Sequence, residues 1–540
     1  MAKRIIQHNK PSVCKMNKEF SLFLDSTKEF EDGEIIEQTL GNEKFTHNKS
    51  CEYNQAIGRY RQEKDIAEEV IGMERAYGNM GYVAHNKIGQ YQEAIDCCRI
   101  FLEIAEEMGE KKGLGAVCRN MELVHANMGF AHNEIGQYQE AIDCFRKSLK
   151  IAEDMGEKKR MEAAYRNMGF AHNEIGQYQE AIDCFCKSLE IAEETEEKEG
   201  TEEAYINMGF AHNEIGHYQE AIDCCRKSLE IAEETGEKDG MEAAYINMGF
   251  AYNEIGQYEE AIDCFRKSLE IAEELGEKKG MGAAYINMGF SHNEIGQYQE
   301  AIDCCRKSIK IAEEIGEKDG MQEAAYINMG FAHNKIGEYQ EAIDCFRKSL
   351  GIAEKMGEKE GMETAYGNMG FAHNKIGQYK EAINCFRESL KIAEEIERKK
   401  GMEAAYRNMG IAHNEICQYQ EAIDCFRKSL KTAEEMGEKV EMGVYRKMRD
   451  AYYKIGEYQE AIDCCRKLLE ITKEMGEKEG IYEDIGFAHH EIGQYHEAIG
   501  CFREQLKIAD VLEDKDKIKR ARENIEVAYK EIGKKKKRLS

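Results

Sequence analysis

Proline and tryptophan are almost missing from this sequence of 540 residues, which contains one proline, Pro11, and no tryptophan. Proline breaks helices, so its near absence leaves glycine as the main residue able to end them. No stretch approaches the roughly 18 continuous apolar residues of a membrane-spanning helix, so we expect no membrane insertion. The start of the chain is basic but carries no apolar segment, which argues against a secretory signal and favours a cytoplasmic location.

An excess of basic residues is also lacking. The chain has 104 Asp and Glu against 75 Lys and Arg, a formal net charge of −29. Phosphate backbones are attracted to basic surfaces, so this balance argues against general nucleic-acid binding. The same balance argues against docking on an anionic membrane face.

Motifs that carry chemistry are missing as well. There is no CxxC, HExxH, GxxxxGKS, GxGxxG or GxSxG pattern, so we predict no catalysis, no cofactor and no metal site. The 20 cysteines recur mainly at one repeat position and are interpreted as small buried apolar groups; redox or metal duty is the alternative. A histidine also recurs, as in His132 and His172. Tyr252 takes its place in one unit, which favours packing over a metal row.

What the sequence has is repetition. NMGFAHNEIGQYQEAIDCF occupies residues 127–145 and returns unchanged at 167–185. Near copies follow with a spacing of about 40 residues, which indicates a repeat array rather than separate globular domains. Counted by the Tyr of GQY from Tyr91 onward, there are eleven complete units. We expect a partly disordered segment at 1–50, an array at 51–533 and a basic tail at 534–540. Within the array lie a degenerate half repeat at 51–72, full repeats over about 73–514 and a capping helix at 515–533.

Residues 241–280 show what one unit builds. Apolar residues recur at steps of three and four before Gly256 and again after it, which predicts two amphipathic helices joined at that glycine. Gly276 should end the second helix. Gly249 lies inside the first helix, where we expect it to allow close approach of the helix carrying Ala261 and Ser268. Arg449 replaces this glycine in a later unit, where we expect a loosened hairpin.

The pattern Tyr245-x-x-Met248-Gly249-x-x-Tyr252, followed by Gly256-x-Tyr258-x-x-Ala261, resembles the tetratricopeptide repeat. The resemblance implies an all-α fold, a right-handed superhelical α-solenoid of about eleven helix-turn-helix repeats with a C-terminal capping helix. The long period and the AEExGEK connector resemble Pins/LGN-type adaptors, rapsyn and kinesin light chain. That resemblance implies protein or peptide partners in signalling or cell-polarity assemblies.

By the same resemblance, first helices would line a concave groove that holds extended peptides. An amide can hold a peptide backbone through both its donor and its acceptor, although each Asn could instead bond to a neighbouring helix. The expected Asn row is Asn79, Asn127, Asn167, Asn207, Asn247, Asn287, Asn328, Asn368 and Asn408. The expected apolar row is Phe130, Phe170, Phe210, Phe250, Phe290, Phe331 and Phe371, with packing between first helices as its alternative.

Two expected groove positions vary between units. One carries Arg166 early, Ile in the middle and Arg407 late; the other carries Glu at first and then Lys335 and Lys375. We expect the groove to be acidic in its first half and more basic from about residue 330 onward, which would orient a ligand. The function predicted is a non-catalytic scaffold or adaptor. The alternatives are a self-associating structural spacer, hence a homo-oligomer, or the regulatory subunit of a separate enzyme.

Charge reversal at the two lysines tests this gradient. We expect the double change Lys335→Glu with Lys375→Glu to weaken the binding of a partner segment, because both changes place negative charge where the groove is expected to be basic. The affinity of a labelled partner peptide, titrated against both proteins at fixed salt, is the measurement. Unchanged affinity would remove the gradient hypothesis.

Overall fold

The computed structural model describes residues 114–195, 200–316, 320–437 and 442–539, with a few helical positions between 91 and 102. These residues divide into two compact units, one ending at Ser291 and the other starting at His292. The half repeat at 51–72 and Asn79 lie outside the described residues. So does most of the unit that contains Tyr91.

The described residues form 21 helices and no strand. The odd-numbered helices are the first helices of the repeats: α1 Leu114–Glu134, α3 Lys158–Glu174, α5 Thr201–Glu214, α7 Lys238–Glu254, α9 Lys278–Glu294, α11 Gly320–Ile336, α13 Lys359–Lys375, α15 Lys399–Glu415, α17 Met442–Ile455 and α19 Met475–Glu491. The second helices are α2 Tyr138–Met155, α4 Tyr178–Thr195, α6 Tyr218–Thr235, α8 Tyr258–Leu275, α10 Tyr298–Ile315, α12 Tyr339–Met356, α14 Tyr379–Glu395, α16 Tyr419–Met436, α18 Tyr458–Ile471 and α20 Tyr495–Val511. The last helix is α21 Lys515–Leu539.

Glycine sets the helix ends. Gly256, between α7 and α8, has φ of +79°, a left-handed conformation that costs other residues about 1–2 kcal/mol. Gly276 ends α8 with φ of +72°, and the following N–H of Glu277 returns to the carbonyl of Ala272 at 2.9 Å. This is the helix-ending motif expected for a glycine at that position. Cys417 occupies a turn position equivalent to Gly256 and keeps a positive φ of 61°.

The core continues from each hairpin into the next first helix. One cluster joins Ile222 and Leu229 of α6 to Tyr245 and Met248 of α7, and it reaches Cys264 of α8. A hairpin therefore buries one side of its apolar surface internally and the other against its neighbour. This nearest-neighbour burial is the stabilising principle of repeat arrays.

In most hairpins the inner glycine of the first helix lies against an aromatic ring of the second helix. A Cβ built on Gly249 would come within 2.8 Å of Phe265 Cε1, and the Phe265 side chain is fully buried. The close approach predicted for Gly249 is therefore present. The group of that helix that faces the glycine is the Phe265 ring. Cys225 replaces the ring in the α5–α6 hairpin, where it faces Gly209.

The α17–α18 hairpin changes both members of this pair. Arg449 stands at the glycine position and Cys465 at the ring position, and the guanidinium lies close enough to the thiol to act on it electrostatically. The guanidinium also pairs with Asp484 of α19 and with Asp450. The smaller Cys465 thus makes room for the arginine. Both helices are 14 residues long, shorter than most of the others.

The repeated cysteine of the second helices is buried in most units. Burial raises the pKa of Cys184 and Cys304 to about 11, and that of Cys264 to about 12. Thiolates are the reactive form of cysteine, so these groups are unreactive near neutral pH. Among the described residues all cysteines are free thiols.

The final helix covers the last hairpin. Ala521 and Ala528 of α21 are fully buried, whereas Glu526 faces solvent and pairs with Lys530 at 2.8 Å. This agrees with a capping role, in which the outer face becomes polar. The helix starts at the expected residue but runs on through the basic segment to Leu539. None of the helices described is both long and apolar enough to cross a membrane.

Substitution of the inner glycine tests the ring contact. Gly249→Ala should destabilise α7 and α8 by about 1–3 kcal/mol, because the new methyl group overlaps the Phe265 ring and overpacks the core. The matched change Gly209→Ala faces Cys225 Sγ at 3.0 Å and should cost less. Hydrogen exchange of the two hairpins would measure both effects. Equal protection losses would contradict the proposed role of the ring.

Candidate docking surface on the first helices

In four repeats the second Asn links successive first helices. The Asn173 side-chain amide donates to the backbone carbonyl of Asn207 at 3.0 Å, and Asn213 donates to Asn247 at 2.9 Å. Each bond joins one first helix to the next. The same bond recurs in the unit that starts at His292 at Asn293–Asn328, 3.0 Å, and at Asn334–Asn368, 3.5 Å. These amides therefore fix the spacing of the first helices.

The first Asn row, which the sequence assigns to a groove, is divided by burial. Four of its members are buried, with exposed fractions of 2–6%: Asn127, Asn167, Asn207 and Asn287. Asn167 also donates to the Ala163 carbonyl of its own helix at 2.7 Å. Burial removes these four amides from the groups that a partner could reach without displacing a helix. The remaining described members are half-buried, namely Asn247, Asn328, Asn368 and Asn408.

The Phe row is more accessible than the Asn row. Phe250 is buried, with 7% exposed, and Phe371 is 39% exposed. The other described members of the row are half-buried: Phe130, Phe170, Phe210, Phe290 and Phe331. The structure thus places most of these rings partly between neighbours and partly in solvent.

Two rings of the Phe row carry a lysine. Lys335 Nζ lies 5.0 Å from the centre of the Phe331 ring, and Lys375 Nζ lies 5.1 Å from that of Phe371. Both lysines are exposed. Within the described part of the chain neither ammonium has a carboxylate at ion-pair distance. An attraction between cation and ring holds each pair together, so apolar surface and positive charge are presented side by side.

The two arginines predicted for the groove differ in setting. Arg166 is 7% exposed, and it bonds to Glu162 at 3.3 Å and to Glu203 at 2.8 Å. It therefore acts as a buried link between first helices. Arg407 is half-buried and pairs with Glu403 at 3.3 Å.

The sequence reasoning missed a row of carboxylates at the junctions between hairpins. Ser148 Oγ of α2 donates to Glu122 of α1 at 2.8 Å, and Arg160, from the start of α3, pairs with the same carboxylate. Glu363 repeats this arrangement with Ser389 and Arg398. The signal was a Glu seven residues before the inner glycine, with a cation near the start of the next unit.

At two further junctions in the described part of the chain, no cation of the next unit pairs with the carboxylate. Gly280 and Gly361 stand where Arg160 stands, and a Cβ on either would meet the carboxylate Oε1 of Glu242 or Glu323 at 2.3 or 2.2 Å. Burial raises the pKa of both carboxyls to about 7, with added repulsion from Glu277 at Glu242 and from Glu358 at Glu323. Arg398 occupies the position of those repelling glutamates at the Glu363 junction. The junctions at Glu242 and Glu323 are thus less stabilised than those at Glu122 and Glu363.

The histidine row lies at the ends of the first helices. The rings reach into the turn: His132 Nδ1 is 2.7 Å from Gln137 Oε1, and His172 makes the same contact with Gln177. A proton on Nδ1 makes this a hydrogen bond that stabilises the turn. No group of three potential metal-binding side chains occurs among the described residues.

A cavity of about 280 Å³ opens beside α13 in the unit that starts at His292. It brings together three residues of the predicted groove, Asn368, Phe371 and Asn408, with Glu363 and Gly367. Gly367 stands at the variable position that carries Ile or Arg in other repeats. Arg407 and Lys335 are not among its lining residues.

Comparison with known proteins identifies the repeat. One tetratricopeptide repeat family model matches residues 120–194, 200–274, 280–355 and 361–435, and a second matches 445–479. Together they cover more than half of the sequence. The chain belongs to the tetratricopeptide repeat family. The predicted family and the all-α solenoid of tandem repeats are confirmed, while the resemblance to Pins/LGN-type adaptors stays a prediction.

Several solved structures are similar to the chain at low sequence identity. The apo form of RapI has a TM-score of 0.51 and 15% identity, over 68% of this chain and 99% of that one. The apo quorum sensor NprR from B. thuringiensis has a TM-score of 0.46 and 17% identity, over 68% and 99%. A STAND-class ATPase with a tetratricopeptide repeat sensor from Pyrococcus horikoshii has a TM-score of 0.48 and 15% identity, over 65% and 54%. No curated protein matches the sequence.

The unpaired carboxyl of Glu242 predicts that the stability of the chain depends on pH. The folded-state pKa of Glu242, about 7, exceeds its ordinary value of 4.5. Its stabilising contribution is therefore complete below about pH 4.5 and is lost as the pH rises through about 7. Glu242→Gln should raise the free energy of unfolding at about pH 8 by about 1–3 kcal/mol. The free energy of unfolding should also change less between about pH 6 and about pH 8 in the variant than in the wild type.

Glu479 provides the matched control, because Lys517 pairs with its carboxylate at 3.1 Å. Glu479→Gln should lower stability at the same pH. Urea unfolding at about pH 6 and about pH 8 gives the free energy of unfolding of both variants. If Glu242→Gln is destabilising at the higher pH, the unpaired description of this junction is wrong.

Proposed function

We propose that the chain is a non-catalytic scaffold whose first-helix surface binds extended segments of partner proteins. The observation that carries this proposal is the recurrence of half-exposed Phe side chains on successive first helices. Contiguous exposed apolar surface bordered by polar groups is typical of sites for protein interaction. Coarser support comes from the family, since tetratricopeptide folds serve as protein-interaction modules.

The Phe–Lys pairs make part of this surface suitable for a segment with both apolar and acidic side chains. At Phe371 the ring offers apolar contact and the Lys375 ammonium lies beside it. An aromatic or aliphatic side chain could pack on the ring while a neighbouring carboxylate pairs with the lysine. Aromatic residues commonly provide most of the binding energy in such contacts.

Fixed first helices favour binding further. The Asn173–Asn207 type of bond and the paired junctions at Glu122 and Glu363 hold neighbouring first helices in register. A surface fixed before binding loses little conformational entropy on association. Several weak contacts at regular spacing would then add up along a single extended segment.

The charge gradient inferred from sequence belongs to the same proposal. Glu174 and Glu254 occupy the position that becomes Lys335 and Lys375 in the second unit. A partner with an acidic end and a basic end would bind in one direction. Charge at such positions governs orientation and the rate of association more than affinity.

A random dodecapeptide library displayed on phage tests the proposal directly. The purified chain should recover peptides from the library. The double change Phe331→Ala with Phe371→Ala should lower the affinity for a recovered, fluorescein-labelled peptide by at least about tenfold. Ile376→Ala is the matched control, because Ile376 is 38% exposed in the turn after α13 but lies off the first-helix face. Fluorescence anisotropy gives the affinities. Recovery of no peptide, or equal loss in the control, would refute the proposed function.

Self-association is a second candidate, favoured by apolar groups on the capping helix. Val527 and Tyr529 of α21 are 48% and 49% exposed. They occupy the positions that Phe and His hold in complete repeats. A second copy could cover them, and light scattering over a range of concentrations would detect it.

A further inference from the structure

Gly367 interrupts a position that other repeats fill. In this unit the equivalent residues are Ile327, Arg407 and Arg446, and earlier in the chain Ile286 stands there and is fully buried. A Cβ on Gly367 would meet Ser389 Oγ at 3.5 Å, an ordinary contact. The glycine is therefore not required by crowding. Its effect is to leave open the space that an isoleucine side chain would occupy.

The interior of the resulting cavity is partly apolar. Phe386, whose side chain is fully buried, and Phe371 both line it, together with Ala404 and Ala405. Its volume of about 280 Å³ exceeds that of a single aliphatic side chain. Phe371 is also the most exposed ring of its row, so the cavity communicates with the first-helix surface.

The charges around the cavity are mainly positive. Arg398 and Lys400 line it, and Lys375 lies over the Phe371 ring. The one acidic residue of the lining, Glu363, is buried and already paired with Arg398 at 2.7 Å. Lysine ammonium groups beside apolar walls favour a ligand that combines a bulky apolar side chain with carboxylates.

We propose that the Gly367 cavity is a specificity pocket, which receives one bulky apolar side chain of a partner segment while acidic neighbours of that side chain pair with Lys375 and Lys400. This proposal rests on the proposed function, since it assigns the partner chemistry of one site on the same surface. An isoleucine side chain at this position, as in several other repeats, would occupy the space that is open here. The pocket therefore sets the register of the segment along otherwise similar repeats.

Filling the pocket provides the test. Gly367→Ile introduces the residue that other repeats carry, so the variant should fold and should unfold at a slightly higher temperature. We expect it to bind the labelled dodecapeptides selected by the wild-type chain at least about tenfold more weakly. Gly351→Ile is the control, because a Cβ at Gly351 of α12 meets no atom within 4 Å. It should leave the affinity unchanged.

The composition of the selected peptides tests the charge requirement. We expect the selected peptides to contain a bulky apolar residue flanked by Asp or Glu. The double change Lys375→Glu with Lys400→Glu should weaken the binding of these peptides. The same change at exposed Lys391 of α14 should not. Peptides that bind Gly367→Ile as tightly as wild type, or that are basic, would overturn the pocket and leave the proposed function standing. Recovery of no peptide at all would overturn both.

Discussion

The contact between the inner glycine of a first helix and the ring of the second helix determines the geometry of most hairpins. It places one edge of the Phe145, Phe185 and Phe346 rings directly against the glycine of the facing helix. Burial of a phenyl ring contributes about 1.5–3 kcal/mol, and the missing Cβ allows the helices to approach. Everything on the first-helix surface is held at a spacing that follows from this contact.

Within most hairpins the two helices meet at a ring, whereas between hairpins polar side chains also link neighbouring helices. At the Glu122 and Glu363 junctions the buried carboxylate accepts from a second-helix Ser and pairs with a cation of the next unit. In four repeats the second Asn bonds across to the backbone of the following first helix. A buried charge is costly unless it is paired, so these two junctions depend on a basic residue of the neighbouring unit. Glu242 and Glu323 show that this residue is not always present. The array is therefore uneven in stability although its sequence is nearly uniform.

The sequence allowed prediction of much of the fold, because turn and helix patterns are local. Gly256 and Gly276 end helices where expected, and Glu526 marks the capping helix. Interactions between helices were harder to predict. Nothing in a periodic pattern distinguishes an Asn that faces solvent from one that bonds to the next helix, so Asn167 and Asn207 were assigned to a groove although both are buried. The Gly367 cavity was missed for a similar reason, since a glycine within a helix gives no sign of what its missing side chain would have filled.

The α17–α18 hairpin shows how far such units can be exchanged. Most repeats carry the same internal contact and similar junctions, so deletion or duplication of one by unequal recombination would leave equivalent neighbours in contact. Arg449 differs because it requires both Cys465 in its own hairpin and Asp484 in the next. A crossover between these residues would separate a buried guanidinium from its carboxylate. This part of the gene should therefore keep its order while the copies before it are free to expand and contract.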